Sequence, residues 1–391
     1  MLKGTYLTLM IGPAVPVPAP KIVVEALSGV QVTNSKERNG FQLMFNISTS
    51  SVLITTLLLA GFFDPIVTRV IIIVTVNALP TVLMDGFITN QELSPSNEPG
   101  KSTLTITGED VSLAMDLVQM IMPFPEMPEV AKIYSLLAPY AFLGITPVVI
   151  PPVISTVRTL TEGHDSIVKQ TARQYLQTLA ANCGYVFYVQ PGPFPGQNIA
   201  YFGPDVNLPV PQPALSINMD SNSNVDSLSF SLNGLAKKIR VYTILDPATK
   251  KIPVQLPVPN FNPLKPIMGL KVLPVVQTEF ADDLSKLSPD KAIQIIIGDS
   301  MNSSLNPPST TVNGSVDIIR YNRILQPRMM VGVRGAGIAY DGLYYVDSVT
   351  HNIKPGEYKQ SFTLSRDGLI SNTPILPVWT REDIMENTGA L

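Results

Sequence analysis

Proline interrupts this sequence throughout, with 36 prolines among 391 residues. Ordinary usage is about 5%, so the chain carries almost twice the usual share. Proline lacks a backbone N–H and clashes with the preceding helical turn, so long helices cannot dominate the fold. The sequence therefore predicts a mainly β protein built from short strands, turns and short helices.

The chain is also unusually poor in charge. Charged residues make up 15% of it and the net charge is −3, whereas about 25% is typical of soluble domains. No basic surface is available to neutralise phosphates, so we expect no nucleic-acid partner. Low charge together with 45% hydrophobic residues is typical of large obligate interfaces, whose buried centres lack charged residues. Composition thus favours an assembly protein over an enzyme.

Residues 39–84 contain only two charged side chains, Asp64 and Arg69, which raises the possibility of a membrane anchor. The apolar pieces 52–63 and 70–76 are shorter than the roughly 20 residues of a spanning helix. The second piece is almost wholly β-branched, which favours a strand buried on both faces. We therefore expect a buried sheet and no stable membrane insertion, and the prolines near the N-terminus argue against a signal peptide.

Changes of pattern divide the chain into four regions. Residues 1–110 are predicted to form a first β-barrel domain, and residues 111–205 a mixed α/β insertion. The clearest helix of that insertion is expected to start at Asp165 or Ser166 and to end at a cap on Gly184. Residues 206–373 are predicted to form a second β-barrel domain, with an extended proline-rich arm at 247–274, and residues 374–391 a loosely attached tail.

Two stretches echo one another near the ends of the two β regions. STLTITGED (102–110) and SFTLSRDG (361–368) each combine an alternating strand with an acidic turn. The echo indicates two related barrels, and chance alternation is the alternative. Other predicted strands are 22–32, 40–47, 70–76, 227–233 and 239–244. Residues 283–297 are predicted to hold a short helix followed by an apolar strand at Ile293, Ile295 and Ile297.

Few residues suit catalysis or metal binding. The chain has two histidines, His164 and His351, and one cysteine, Cys183, which excludes multi-cysteine metal sites and internal disulfides. Either histidine is a conceivable general base, but neither has a spaced partner set, and Cys183 suits a buried apolar position. GVRGAG (332–337) precedes a hairpin pattern rather than the helix that a phosphate loop requires. We expect no cofactor, no metal and no catalytic residue.

Eight motifs stand in an order and spacing that carry a family resemblance. They are GTYLTLMIG (4–12), GFQLMF (40–45), VLMDGFIT (82–89), LTITGED (104–110), LAANCGYVFYV (179–189), AYFGP (200–204), YDGLYYVDSVTH (340–351) and GEYKQSFTLSR (356–366). Together they resemble the late-control gene D type and VgrG-like baseplate hub proteins of contractile phage tails and extracellular contractile injection systems. The resemblance spans nearly the whole chain.

The resemblance implies a structural protein and not an enzyme. It implies a homotrimer in which two tube-like β-barrels per chain form a pseudo-sixfold ring. Such a ring adapts a hexameric inner tube to a trimeric spike and contacts other baseplate proteins. The motifs end near Arg366 without a spike β-helix, so a separate spike protein is expected. The expected site of assembly is the bacterial cytoplasm, and the expected location is a phage tail-like particle.

We expect apolar residues of the most strand-like segments to form the barrel walls and the protein interfaces. The predicted interface residues are Phe62, Phe63, Val70, Ile72, Val74, Leu104, Ile106, Phe362 and Leu364. Two alternative functions stay open at this point. One is a peptidoglycan hydrolase acting at a particle tip, and the other is a membrane-anchored assembly protein.

Overall fold

The computed structural model describes residues 4–372, except 14, 37, 49–50, 99–100, 121–126, 153–169, 206–210, 246–252, 259–264, 266, 286–288, 303–304 and 306. The fold is mainly β, as the sequence predicts. The predicted C-terminal tail lies outside the described residues.

The N-terminal region is built almost entirely from strands. Its elements are β1 (Thr5–Pro13), β2 (Val17–Pro18), α1 (Lys21–Ala26), β3 (Leu27–Asn34), β4 (Asn39–Ile47), a π-helical segment (Leu53–Leu58), β5 (Thr68–Val76), β6 (Leu79–Ser94) and β7 (Ser102–Asp110). β5 is buried on both faces, as its β-branched sequence predicts, and β7 alternates between buried and half-buried side chains. The predicted strand at 22–32 is wrong in its first part. α1 forms there because Val23 can turn into the core while Lys21 pairs with Glu25 one turn later.

The insertion has its own apolar core and combines helical segments with short strands. Its elements are a 3₁₀ helix (Val111–Asp116), β8 (Gln119–Met120), α2 (Glu129–Leu137), a second 3₁₀ helix (Ala138–Leu143), β9 (Ile145–Val149), β10 (Gln170–Thr171), α3 (Ala172–Asn182), β11 (Tyr185–Pro191) and β12 (Asn198–Pro204). Thr171 caps α3, while the predicted caps Asp165 and Ser166 lie outside the described residues. Gly184 follows the helix at φ 68° and Cys183 is buried, both as predicted.

The C-terminal region returns to strands. Its elements are β13 (Pro211–Ser216), a 3₁₀ turn (Asp220–Asn222), β14 (Val225–Leu232), β15 (Lys238–Leu245), β16 (Pro253–Val258), β17 (Gly269–Lys271), β18 (Gln277–Asp283), α4 (Pro289–Met301), β19 (Thr310–Asp317), α5 (Ile318–Tyr321), β20 (Met330–Arg334), β21 (Gly342–Lys354), β22 (Glu357–Arg366) and β23 (Leu369–Ser371).

One sequence prediction in this region is wrong. The apolar run at 293–297 is part of α4, because Ala292, Ile295 and Ile296 repeat at helical spacing and pack toward Tyr242 on β15. The proline-rich arm is extended in its described strand β16, as its prolines predict. Its residues in β16 pair with β15, and β15 also pairs with β18, so these three strands form a separate small sheet.

Thirteen of the described strands form one continuous sheet, and twelve of these fall into two sets with the same order. We call β3-β4-β7-β6-β5-β1 the first lobe and β14-β19-β22-β21-β20-β13 the second lobe. Strands in equivalent positions also follow one another in the same sequence order. The outermost pair differs, since β1 and β5 are antiparallel whereas β13 and β20 are parallel. The echo at 102–110 and 361–368 therefore falls on equivalent strands, β7 and β22.

The two lobes share irregularities as well as strand order. The register shifts once between Leu27 and Gly29 on β3, and once between Val225 and Ser227 on the equivalent β14. It shifts again in the same equivalent places on β6, between Ile88 and Asn90, and on β21, between Val346 and Ser348. Coincident bulges are unexpected from chance alternation, because each bulge is a local feature of one strand pair.

A strained residue also recurs ahead of β5 and β20. Ile66 and Arg328 both have positive φ, 68° and 62°, a conformation that side chains seldom adopt. The Ile66 N–H donates to the Ile88 carbonyl at 2.7 Å, and the Arg328 N–H donates to the Val346 carbonyl at 2.8 Å. In each lobe the shorter strand, β5 or β20, therefore pairs only with the first part of its longer neighbour, β6 or β21, and leaves the second part of that edge available to another strand.

Candidate assembly surface

The nine predicted interface residues lie inside the single chain. Eight of them are at most 3% exposed, and Phe62 is half-buried against the same apolar cluster, which draws on both lobes. A side chain without exposed area cannot contact a second molecule unless the chain opens locally. The sequence predicts that these residues form an interface, whereas the structure places them in the core of the sheet or against it. These residues are Phe62, Phe63, Val70, Ile72, Val74, Leu104, Ile106, Phe362 and Leu364.

The lobes are joined where β3 pairs with β21 in antiparallel register. On the inner face Val32 lies opposite His351, and the two side chains are 0% and 1% exposed. His351 Nδ1 lies 2.8 Å from the Tyr358 hydroxyl and 3.3 Å from Gln360 Nε2. Burial lowers the pKa of His351 to about 3. The imidazole is therefore neutral near pH 7 and enclosed, which suits a packing role and not a general base open to a substrate.

The outer face of the same junction is sealed by polar pairs. Gln31 Nε2 donates to Asn352 Oδ1 at 3.0 Å. The hydroxyls of Thr33 and Thr350 lie 3.2 Å apart. Such cross-strand pairs stabilise an antiparallel ladder and set its register. The junction therefore combines an apolar inner face with a polar outer face.

In the part of the chain that the structure describes, the strand edges without a partner include those of the two strands equivalent to β3 and β21. β14 pairs with β19 alone, and the end of β6 beyond Ile88 pairs with β7 alone. Both edges carry an exposed leucine, Leu93 at 44% and Leu232 at 38%. Unpaired edges of this kind are templates for further strands. They are the strongest candidates for contact with another protein molecule.

A buried ion pair fixes the insertion to the first lobe. Arg69 on β5 donates to both carboxylate oxygens of Asp85 on β6, each at 2.7 Å. Arg69 Nη2 also donates to the Leu143 carbonyl at 2.9 Å, and Asn198 Nδ2 donates to Asp85 at 2.9 Å. Arg69 and Asp85 are only 4% and 0% exposed. Because donors and acceptors come from both bodies, the insertion is held in one orientation.

A second buried polar cluster lies at the end of β7. Asp110 accepts from the Ser112 N–H at 2.8 Å and from Asn39 Nδ2 at 3.0 Å. Asn39 Nδ2 also donates to the Val189 carbonyl of the insertion at 3.0 Å. Burial raises the pKa of Asp110, although these hydrogen bonds and Arg173 act in the opposite direction. This cluster connects the first lobe with β11 and α3.

The proline-rich arm is attached at Lys265. Its ammonium group pairs with Asp205, which also accepts from the Tyr345 hydroxyl at 3.1 Å. Although burial acts in the opposite direction, Lys265 and Lys36 hold the pKa of Asp205 below its usual value. Burial lowers the pKa of Lys265 itself. The arm is thereby anchored beside the second lobe.

Beyond that anchor, the chain from the arm to β18 exposes apolar side chains. Five of them have between 48% and 70% of their area exposed, and they are Ile267, Leu270, Val275, Val276 and Phe280. An exposed apolar surface of this kind often marks a protein contact. The sequence analysis found no signal there beyond the apolar character of the arm.

The structure assigns no chemistry to the remaining candidates. The GVRGAG motif ends β20 and leads through a loop into β21, so it forms part of the β20–β21 hairpin rather than preceding a hairpin. Within the described ranges, no group of three or more His, Cys, Asp and Glu side chains is suited to a metal ion. No helix among those same residues has the length and apolar character needed to cross a bilayer. His164 lies outside them.

Sequence reasoning missed the unpaired edges. It identified the alternation at 227–233, but alternation does not show whether a strand has one neighbour or two. The sequence feature that could have indicated an edge strand is the run of alternating serines. Ser227, Ser229 and Ser231 are all exposed on β14. A polar outer face combined with partly exposed apolar residues is compatible with an edge strand.

No protein-family model matches the sequence, and no curated protein matches it. Solved structures do match. A tail protein from Neisseria meningitidis MC58 has a TM-score of 0.62 at 12% identity, covering 94% of this chain and 98% of that one. The 43 kDa tail protein of prophage MuSo2 from Shewanella oneidensis has a TM-score of 0.61 at 12% identity, with 93% and 98% covered.

A chain of the lidded Francisella PdpA–VgrG complex is also similar. Its TM-score is 0.55 at 9% identity, and the match covers 96% of this chain and 55% of that one. Identities this low establish the fold and nothing finer. The chain therefore has the fold of phage tail proteins and of VgrG, which confirms the baseplate hub-like resemblance of its sequence motifs at the level of fold.

Proposed function

We propose that this protein is the structural baseplate hub of a contractile injection particle. In this role three copies form a ring with two tube-like barrels per chain. One side of the ring caps the hexameric inner tube, and the other side carries a trimeric spike. The ring also contacts other baseplate proteins, is assembled in the bacterial cytoplasm and remains part of the phage tail-like particle.

The observation that carries the proposal is the repeated lobe. Two lobes with one strand order and matching bulges provide two similar units per chain. Three chains would then offer six similar units to a sixfold tube while keeping threefold symmetry for the spike. A symmetry mismatch of this kind needs only shape and repeated surfaces, so the function requires no catalytic group.

The oligomeric state tests the proposal directly. The 391-residue chain should behave as a trimer in light scattering after size-exclusion chromatography, at about 127 kDa for three chains of 42.4 kDa. Mixed with the inner tube protein of the same particle, the trimer should appear at tube ends in electron micrographs. A protein that stays monomeric at all concentrations, or a trimer found along the tube wall, would contradict the proposal.

No specific observation favours the two alternatives. His351, the described candidate for a hydrolase, is enclosed at the lobe junction. The apolar segment that suggested a membrane anchor contains β5, whose side chains belong to the apolar core of the chain. We therefore keep the hub as the single proposed function.

A further inference from the structure

The junction between the two lobes is complete within the chain, whereas the strands equivalent to those of the junction are not paired with each other. β3 of the first lobe pairs with β21 of the second lobe. The strands in equivalent positions are β14 and β6. Within the described residues neither has a partner on the corresponding edge. The chain therefore carries both halves of a second junction, at separate places.

The coincident register shifts define which residues are equivalent. Aligned on these shifts, Val32 on β3 corresponds to Phe230 on β14, and His351 on β21 corresponds to Leu93 on β6. The pairing with the next strand agrees, since His351 lies opposite Gln360 and Leu93 lies opposite Leu104. Gln360 and Leu104 lie on the equivalent strands β22 and β7.

We propose that β14 of one copy pairs with the end of β6 of a second copy, in the antiparallel register of the β3–β21 junction. The inference rests on the proposed function, because it describes how hub subunits would join. The paired positions would be Gln91 with Leu232, Glu92 with Ser231, Leu93 with Phe230, and Ser94 with Ser229.

Side chains at the two open edges match in the same way as those of the closed junction. The inner pair of the closed junction, Val32 and His351, is at most 1% exposed. Its counterpart would bring Leu93, now 44% exposed, against the half-buried Phe230. The pairing would thus bury apolar area that a single chain leaves in water.

The outer positions are polar in both junctions. Thr33 with Thr350 in the closed junction corresponds to Ser231 with Glu92 in the open one. These open-edge residues are exposed. A one-residue slip would place Leu93 opposite a serine of the outer face, so the alternation itself favours the proposed register.

The two edges are different surfaces, so the contact is head-to-tail. Contacts of this kind generate closed rings or open helical filaments. Because each chain contributes two lobes, a closed ring alternates internal and intermolecular junctions and contains an even number of lobes. Three copies give the six lobes that the proposed hub requires.

Disulfide trapping tests the register, with an internal control provided by the repeat. In a Cys183→Ala background, Glu92→Cys with Ser231→Cys should yield a disulfide-linked trimer as the largest species on a non-reducing denaturing gel. The equivalent internal pair, Thr33→Cys with Thr350→Cys, should oxidise within one chain and give no linked oligomer. Glu92→Cys with Ser227→Cys is four residues out of register, about 13 Å along the strand, and should give no linked trimer.

The outcomes separate this inference from the proposed function. If the protein is a trimer and the internal pair oxidises, but Glu92→Cys with Ser231→Cys stays reduced, the strand pairing is refuted and the hub remains. If the trap closes in an assembly with a different number of copies, the pairing stands and the trimeric hub is refuted. A strictly monomeric protein would refute both.

Leu93→Asp provides a second test that does not depend on oxidation. Leu93 is exposed in the single chain, so the far-UV circular dichroism should stay unchanged while the trimer is lost. Leu79→Asp, at a 72% exposed position on the same strand but paired with β5, should leave the trimer intact. A Leu93→Asp protein that remains trimeric contradicts the proposed pairing.

Discussion

At the scale of single residues, His351 shows how tertiary position changes the chemistry of a side chain. In sequence it stands between Thr350 and Asn352 and was a conceivable general base. In the structure it lies against Tyr358 inside the lobe junction, and burial lowers its pKa to about 3. Its role is to fill the interior where two strands from distant parts of the chain meet.

His351 should make stability depend on pH in a defined direction. An unfolded chain protonates this histidine near its ordinary pKa of about 6.5, whereas the folded chain keeps it neutral down to about 3. Stability is therefore full above about pH 6.5 and falls as the pH drops toward 3, at about 1.4 kcal/mol per pH unit.

His351→Gln removes that titration. Urea unfolding at several pH values should show a shallower loss of stability for the variant between pH 6.5 and 4, by the slope given above. Carboxylates titrate in both proteins, so the difference between the two slopes isolates the histidine. Equal slopes would show that His351 takes up its proton in the folded state as readily as in the unfolded state.

At the scale of elements, local patterns predicted those strands whose burial is uniform or strictly alternating. β5 and β7 were found from sequence for that reason. The run at Ile293, Ile295 and Ile297 was misread because spacing of two fits a strand, whereas Ala292, Ile295 and Ile296 form the buried face of a helix. Whether such a segment forms a strand or a helix depends on the sheet against which it packs. Here that sheet contains β15, which is distant from the segment in sequence.

The end of α3 offers a test of element packing. Gly184 has φ 68°, and a Cβ there would lie 2.5 Å from Met301 Cβ and 2.8 Å from the Gly298 carbonyl oxygen of α4. Gly196 has φ 81° but has no heavy atom within 4 Å of such a Cβ. Gly184→Ala should therefore lower the free energy of unfolding by about 1–3 kcal/mol more than Gly196→Ala.

Both variants pay the cost of a positive φ, so their difference measures the contact between α3 and α4. Chemical denaturation of each variant and of the wild type provides the comparison. Equal losses would indicate that α4 moves away from Gly184 at little cost.

At the scale of the whole molecule, the two lobes share one sheet, and buried polar groups hold the insertion against the first lobe. The pair Arg69–Asp85 lies between the first lobe and the insertion, where the Leu143 carbonyl and Asn198 complete its hydrogen bonds. Burying ions is costly unless each is paired. The buried ion pair therefore fixes the orientation of the insertion on the first lobe more than it adds to the free energy of unfolding.

Removing one partner of that pair should be severe. Arg69→Ala leaves Asp85 buried without its counter-ion and should lower the free energy of unfolding by about 3–5 kcal/mol. Lys21→Ala breaks the exposed pair with Glu25 and should change stability little. Urea denaturation measures both, and a mild effect of Arg69→Ala would show that water or another cation replaces the guanidinium.

The sequence by itself determined the fold class, the most regular strands and the family-like motifs, because proline content, β-branching and alternation act within a few residues. The tertiary structure alone decided that β3 joins β21 across more than 300 positions, that the nine predicted interface residues lie in the core or against it, and that β6 and β14 have unpaired edges in the described part of the chain. Strand pairing joins residues that are distant in the chain. The periodicity of apolar residues within a strand does not show which of its edges pairs with another strand, so strand pairing can be read only from the assembled sheet.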